Sequence, residues 1–381
     1  MNTISSQNPF FETYSTLHST VPFDKIKTGD YVPAIREGIR RQNAEIEAII
    51  RNPEVPTFAN TVLAYEKSGE MLHRVSTVFG NLLSAETDDD LQELAKEIMP
   101  MMSEHENNIS LNEELFARIK AVYEQQDKET LSPEQHKLLE DIYNGFVRNG
   151  ANLQGEAKEK YRALCKELSL LTLQFSENNL KETNDYKLVI TDKSQLAGLP
   201  ESAVEAAAET AGEKGVEGWV FTLQAPSYAP FLTYADSRDL RRELYMAYNT
   251  KCTHDNASNN LETVKKLANV RMEIAQLLGY DNFAEYNLQE RMAQNSESVY
   301  KLLDQLLEAY TPTAKQEYAE VQALARQAEG EDFVLMPWDW AYYSHKLKDR
   351  KFNIDDELLR PYFELNNVKE GVFGLATRLY G

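Results

Sequence analysis

The stretch Met336-Pro-Trp-Asp-Trp-Ala-Tyr-Tyr-Ser-His-Lys346 holds two of the chain's three Trp residues and an adjacent pair of Tyr. Pro337 precedes the aromatic run, at a point where a helix tolerates proline because the missing N–H would have no partner there. We therefore expect a helix to begin here. Aromatic side chains with polar groups pack in cores and also bind ligands. Core packing is the simpler interpretation, and Trp338, Tyr342 and Tyr343 are our candidates for substrate binding.

The sequence that follows keeps this aromatic and helical character. Leu359-Arg-Pro-Tyr-Phe-Glu-Leu365 adds further aromatic residues, and residues 368–380 repeat apolar side chains at the spacing of an amphipathic helix. Gly381 is well placed to cap that helix, because glycine readily adopts the left-handed conformation that ends many helices. We expect the pattern to continue beyond the residues given.

Helical spacing also dominates the earlier sequence. A first helix is predicted to begin at Asp30 and to end before Pro53, since a residue that precedes proline disfavours the helical conformation. Ser132-Pro-Glu-Gln135 matches a capping box, and residues 155–185 read as one long helix. Further helices are predicted at residues 201–211, 237–249, 261–278 and 295–328. The predicted fold class is therefore mainly α.

The apolar period changes only between residues 186 and 224. Residues 186–191 and 218–223 read as short strands, and we predict that they pair as a small β-ribbon near the middle of the chain. This break in composition is also the predicted boundary between two helical subdomains, 1–185 and 186–381. No repeat of fixed period is present, so a regular solenoid is not expected.

The charge balance bears on which partners the chain can have. Its 381 residues include 40 Lys plus Arg and 61 Asp plus Glu, a net charge of −21. Such an excess repels nucleic acid and anionic membranes, so neither is expected as a partner. It would suit a cationic ligand, although solubility is the more ordinary explanation.

Location and redox state follow from what the sequence lacks. There is no apolar run long enough for a transmembrane helix, and the first residues carry neither a basic nor an apolar signal region. Cys165 and Cys252 lie far apart and predict neither a disulfide framework nor a metal site. We expect a cytoplasmic protein.

The six histidines are the first candidates for catalytic residues. A zinc peptidase helix needs H-E-x-x-H, because two His one turn apart bind the metal and the adjacent Glu activates water. His105-Glu106 begins this motif, but Ile109 stands where the second His is required. His136 and Glu140 share a helix face and are better explained as a surface pair, since a zinc site needs at least three protein ligands.

Two other histidines, and the common catalytic motifs, indicate no catalytic site in this sequence. His254 lies in a polar stretch that reads as a loop, and His345 follows the Tyr pair. The sequence contains no G-x-S-x-G motif, P-loop or G-x-G-x-x-G motif. We therefore assign no catalytic residue and no metal ligand to this chain.

A set of short motifs extends in order over essentially the whole chain: residues 8–10, 23–26, 57–61, 66–69, 81–87, 146–151, 277–280, 291–293, 337–343 and 361–365. This ordered set resembles a known family, the M3 metallopeptidases, which are zinc peptidases similar to thimet oligopeptidase. The resemblance is greater to the peptidyl-dipeptidase branch (dipeptidyl carboxypeptidases) than to the oligopeptidase A branch. Ser344-His345 departs from the family, which more often has Ala-Glu after the Tyr pair.

The resemblance implies a mostly helical, clam-like fold with a deep channel between two halves. It implies one zinc ion, held by an H-E-x-x-H helix and a downstream Glu, and cleavage of short peptides with release of C-terminal dipeptides. In this family the zinc motif lies after the segments found here. We therefore expect this chain to be the N-terminal half, with zinc in the full-length protein and none bound by this chain. Its expected partners are short peptides and the missing C-terminal catalytic half.

Two other functions stay open. One is an endopeptidase of the same family, similar to oligopeptidase A. The other is a stand-alone helical module that binds peptides or a partner protein without cleaving them.

Overall fold

The structure is a computed structural model that describes residues 8–125, 130–353 and 356–381, without the side chains of residues 356 and 357. The first helices are α1 (Tyr31–Ile50), α2 (Leu63–Glu66), α3 (Glu70–Ala85), α4 (Asp89–Ser110), α5 (Glu113–Glu124), α6 (Pro133–Arg148), α7 (Gly155–Asp185) and α8 (Glu201–Glu213). They are followed by α9 (Ala225–Tyr234), α10 (Arg238–Asn249), α11 (Leu261–Leu277), α12 (Phe283–Leu288), α13 (Ser296–Glu329), α14 (Trp340–Phe352), α15 (Asp356–Leu359) and α16 (Leu365–Tyr380). The prediction of a mainly α fold is confirmed.

The predicted β-ribbon is also present. Strand β1 (Leu188–Ile190) pairs antiparallel with β2 (Trp219–Phe221), and Val189 lies opposite Val220. Leu188 and Ile190 are buried whereas Val189 between them is exposed, as the two-residue period of a strand requires. The buried face packs in an apolar cluster with side chains of α8 and α9, including Phe231.

Helix ends follow the capping chemistry of the sequence. Ser132 begins α6: its hydroxyl accepts a hydrogen bond from the Gln135 N–H at 3.3 Å, and the Gln135 side chain accepts one from the Ser132 N–H at 2.9 Å. These contacts satisfy amide groups that the first helical turn leaves without backbone partners. Helix α16 ends at Tyr380, and Gly381 caps it with a positive φ of 92° and an N–H that donates to the Thr377 carbonyl oxygen. Both predicted caps are confirmed.

Contacts divide the described chain into two compact units. The first unit comprises the residues up to Glu177 together with Leu261–Ser296, and the second comprises Asn178–Asn260 together with Glu297–Gly381. Each unit is thus built from two separate segments of sequence. The two subdomains predicted at 1–185 and 186–381 stay a prediction.

The largest core of the first unit lies between α1, α3 and α4. The Tyr31 ring contacts the rings of Phe10 and Phe79, each with a centroid separation of 5.3 Å, and Val75 and Ile35 are fully buried beside them. Full burial of one such side chain stabilises the fold by about 1.5–3 kcal/mol. This packing fixes α3 and α4, which line the cavity described below. Among the described ranges, no helix is both long and apolar enough to span a bilayer.

Candidate functional site

The aromatic segment at residues 336–346 is organised by one buried carboxylate. Pro337–Asp339 forms a short 3-10 turn and α14 begins at Trp340, as the proline predicts. The Asp339 side chain is 0% exposed, and its oxygens accept hydrogen bonds from Arg238 Nη2 at 2.7 Å and Arg241 Nη2 at 3.0 Å. A buried charge is tolerated only when it is paired in this way. Asp339 therefore attaches the start of α14 to α10.

Arg241 extends this attachment to the aromatic residues. Its Nη1 donates to the Ala235 carbonyl oxygen at 2.7 Å, and its Nε donates to the Trp338 carbonyl oxygen at 3.3 Å. The guanidinium carbon lies 4.0 Å from the centre of the Tyr342 ring, a cation–π contact. Arg241 is 1% exposed, and these contacts give the N–H groups of its buried guanidinium the acceptors that they need. Sequence analysis missed this residue, because α10 and the aromatic segment are remote in sequence.

The three predicted substrate-binding residues lie around this arginine. The Tyr342 hydroxyl donates to Asp236 Oδ1 and the Tyr343 hydroxyl donates to Glu329 Oε1, each at 2.7 Å. Burial is the main cause of the raised pKa of both tyrosines, and their carboxylate acceptors raise it further. Both rings are buried, whereas Trp338 is half-buried. The geometry gives these residues a packing role, and their role in substrate binding stays a prediction.

The histidines are dispersed among separate local contacts. His254 Nδ1 lies 3.2 Å from Glu182 Oε1, and His345 Nε2 lies 3.2 Å from Asp349 Oδ2. His136 lies in a shallow surface pocket with Glu140. In the part of the chain that the structure describes, no group of three or more His, Cys, Asp or Glu side chains is placed to hold a metal ion.

The first unit contains an open cavity of about 1250 Å³. Helices α3, α4 and α7 and the turn between α2 and α3 line it. His105 forms part of the wall: it is 4% exposed, and its Nε2 lies 2.8 Å from Gln42 Oε1. The two side chains are therefore joined by a hydrogen bond. Glu106, next in sequence, also lines the cavity.

Burial sets the protonation states in this cavity. It lowers the pKa of His105, which favours the neutral imidazole, and it raises the pKa of the Glu106 carboxyl. Burial also raises the pKa of the Cys165 thiol, although hydrogen bonds from Tyr161 and Asn107 oppose this change. A thiol is a nucleophile only when it is ionised, so Cys165 is poorly reactive. The cavity therefore offers a carboxylate and polar walls rather than an activated nucleophile.

Two helices of the second unit expose apolar side chains on an unusual scale. On α13, Tyr300, Leu307 and Tyr310 are 64%, 67% and 65% exposed, and Leu302 and Leu303 beside them are more than half exposed. On α16 no described residue is buried, and the exposed apolar side chains are Leu365, Val368, Val372, Phe373, Leu375, Leu379 and Tyr380. Large exposed apolar patches mark interaction surfaces in soluble proteins. We refer to these residues as the exposed faces of α13 and α16.

Comparison with known proteins gives these features a family context. Residues 231–381 match the model of peptidase family M3. The chain is 37% identical over 381 residues to dipeptidyl carboxypeptidase of Escherichia coli K12, an alignment that covers 99% of this chain and 56% of that protein. It is 34% identical over 378 residues to dipeptidyl carboxypeptidase of Salmonella typhimurium, covering 99% of this chain and 55% of that protein.

A second group of relatives carries a different name. The chain is 32% identical over 370 residues to oligopeptidase A of Salmonella typhimurium, covering 96% of this chain and 54% of that protein. The chain thus spans about half the length of the curated relatives that it matches. Residues 231–381 of the chain therefore belong to peptidase family M3.

Proposed function

We propose that this chain forms the non-catalytic, N-terminal part of a zinc-dependent peptidyl-dipeptidase, which removes C-terminal dipeptides from short peptides. In this proposal the chain forms one wall of the substrate channel. The observation that carries the proposal is the 37% identity to dipeptidyl carboxypeptidase along 99% of the chain. The proposal includes a cytoplasmic location, which cell fractionation would test.

The exposed faces of α13 and α16 support the proposal that another part of the protein packs against this chain. Phe373 and Leu379 are each 64% exposed on α16, and Leu307 is 67% exposed on α13. Removing apolar surface from water is worth about 25 cal/mol per Å², so leaving these side chains uncovered is unfavourable. We propose that the catalytic half of the same protein covers them.

Zinc belongs to that other half in this proposal. The sequence has no H-E-x-x-H, and among the described residues no group of three or more potential ligands is placed for a metal. The side chains present therefore do not fit a zinc site. When bound in the full-length protein, zinc would polarise the scissile carbonyl and lower the pKa of bound water. We derive no catalytic step for residues of this chain.

The sequence of the gene downstream of codon 381 tests the proposal. We expect an open frame that continues into a segment encoding H-E-x-x-H. A stop codon directly after codon 381 would contradict the proposal, and would favour a stand-alone helical module that binds peptides or a partner protein.

The second candidate function is that of an endopeptidase similar to oligopeptidase A, which the 32% identity over 370 residues supports. Mass spectrometry of products from an N-terminally blocked hexapeptide, cleaved by the enzyme from the complete gene, separates the two activities. A peptidyl-dipeptidase releases successive dipeptides from the C-terminus. An endopeptidase cuts first at an internal bond and leaves longer C-terminal fragments.

A further inference from the structure

Three polar groups of the first unit are buried without a hydrogen-bond partner among the described residues. They are the hydroxyl oxygens of Tyr14 and Tyr31 and the Nε of Arg74. Tyr31 is only 2% exposed, and Tyr14 and Arg74 are half-buried. Folded proteins seldom leave a buried polar group unpaired, because such a group has lost its water and gained no contact in exchange. Three such groups in one unit therefore require an explanation.

The three groups are neighbours, although they come from α1, from α3 and from the segment before α1. The guanidinium carbon of Arg74 lies 5.0 Å from the centre of the Tyr14 ring, and Arg74 Nη2 donates to the Phe10 carbonyl oxygen at 2.8 Å. The Phe10 ring in turn contacts the Tyr31 ring, with a centroid separation of 5.3 Å. Burial is the main cause of the raised pKa of Tyr31, and Asp30 and Tyr14 raise it further. The two tyrosine hydroxyls therefore lie within electrostatic range of each other.

Each of the three groups can donate a hydrogen bond. An arginine Nε–H donates and never accepts, and a protonated phenol has one O–H to donate. Burial raises the pKa of Tyr14, as it does that of Tyr31, although Arg74 opposes the rise at Tyr14. Both phenols therefore keep their protons at neutral pH. The cluster presents three donors, and a ligand that accepts from all of them would satisfy it.

The guanidinium of Arg74 adds a positive charge to this cluster. In the described part of the chain, no Asp or Glu forms an ion pair with Arg74. Asp30, which acts on Tyr31, uses its Oδ2 to accept a hydrogen bond from the Lys27 N–H at 2.8 Å. A partly buried cation gains free energy from a counter-ion. A bridging water could accept hydrogen bonds from the donors, but it would not offset the charge of Arg74.

We propose that Tyr14, Tyr31 and Arg74 bind one small monovalent anion, a halide such as chloride. The anion accepts hydrogen bonds from both hydroxyls and from Arg74 Nε, and so joins the segment before α1 to α1 and α3. Bulky anions are excluded, because the donor atoms are buried. Tyr31 and Phe10 belong to the core between α1, α3 and α4, so the bound anion stabilises that core. The proposal concerns the first unit alone and does not depend on the proposed peptidase function.

Thermal unfolding of the 381-residue chain in sodium chloride and in sodium gluconate, at equal ionic strength, tests the proposal. A ligand that binds only the folded state raises the melting temperature, and gluconate is too large for a buried site. We expect the gain from chloride over gluconate to be larger in wild type than in Arg74→Gln, by about 2–4 °C. Arg118→Gln is the matched control: Arg118 also has a buried Nε without a partner and donates to the carbonyl oxygens of Asn52 and Glu54. These residues follow the end of α1, about 30 Å from Tyr31 at its start, so this variant should keep the wild-type gain. An equal gain in wild type and both variants would overturn the proposal.

Tyr31→Phe separates an anion from a bridging water, because it removes one hydroxyl and keeps the ring in the core. We expect this variant to lower the melting temperature more in chloride than in gluconate. Tyr186→Phe is its control, since the Tyr186 hydroxyl is also buried without a partner but lies in the second unit, where Glu243 acts on it. Its effect should be the same in both salts. An equal loss for Tyr31→Phe in both salts would identify a water, and no loss in either would show that the hydroxyl binds nothing; both results would overturn the proposal.

Discussion

Replacement of Asp339 by Asn gives a strong test of how the second unit is held together. Asp339 is 0% exposed and pairs with Arg241, which is 1% exposed, and with Arg238, which is 42% exposed. An Asn side chain keeps the volume but cannot neutralise the buried Arg241. Removal of one partner from a buried ion pair costs about 3–5 kcal/mol, because the other charge is left uncompensated.

Urea unfolding followed by tryptophan fluorescence measures this cost. All three Trp residues lie in the second unit, so the signal reports that unit selectively. The matched control is Glu320→Gln, because Glu320 forms an ion pair with Lys351 in which both side chains are partly exposed. Pairs of this kind contribute about 0–1 kcal/mol.

We expect Asp339→Asn to lower the free energy of unfolding by several kcal/mol more than Glu320→Gln. An intermediate loss is expected for Arg238→Gln, because Arg238 is partly solvated and the Arg241 pair survives. If Asp339→Asn is no more destabilising than Glu320→Gln, the reasoning about the buried pair is refuted.

Three further predictions concern the first unit. The pKa of Glu37 is lowered to about 2, chiefly by hydrogen bonds from the Arg side chains that follow it on α1. The stabilisation from these contacts is therefore present above about pH 4.5 and is lost as the pH falls toward 2. The melting temperatures of wild type and Glu37→Gln should accordingly become equal in acid. Gly69→Ala should lower the free energy of unfolding by more than about 1 kcal/mol, because the φ of Gly69 is +76°. Gly80→Ala lies in a helix with open space around it and should leave this free energy unchanged or raise it. Thermal unfolding followed by circular dichroism measures both effects. Burial raises the pKa of the Cys165 thiol, so its alkylation by iodoacetamide at pH 8, followed by peptide mass spectrometry, should be much slower in the folded chain than in urea.

Local features of the fold could be predicted from the sequence because their causes are local. The Ser132 capping box joins residues three positions apart, and the two strands follow from the short apolar runs at 188–190 and 219–221. The proline at 337 correctly marked the start of a helical segment. Each of these signals depends on backbone geometry within one or two turns.

The features that could not be predicted depend on contacts between distant segments. Asp339 pairs with Arg241 across 98 positions, and nothing in either local pattern identifies the partner. In the sequence, His105-Glu106 matches only the start of a zinc motif, whereas the structure places both residues in a cavity lined by α3, α4 and α7. Residues 261–296 pack with the first unit, although no change in composition along the sequence predicts this long-range packing.

The zinc content of the purified chain tests whether the metal ligands lie outside these 381 residues. The chain should be expressed with zinc in the medium, dialysed against metal-free buffer and analysed by inductively coupled plasma mass spectrometry. We expect far less than one zinc per chain, since the metal ligands are proposed to lie in the other half of the protein. One tightly bound zinc per chain, lost when His or Glu residues of this chain are replaced, would refute the proposal that this half of the protein holds no metal.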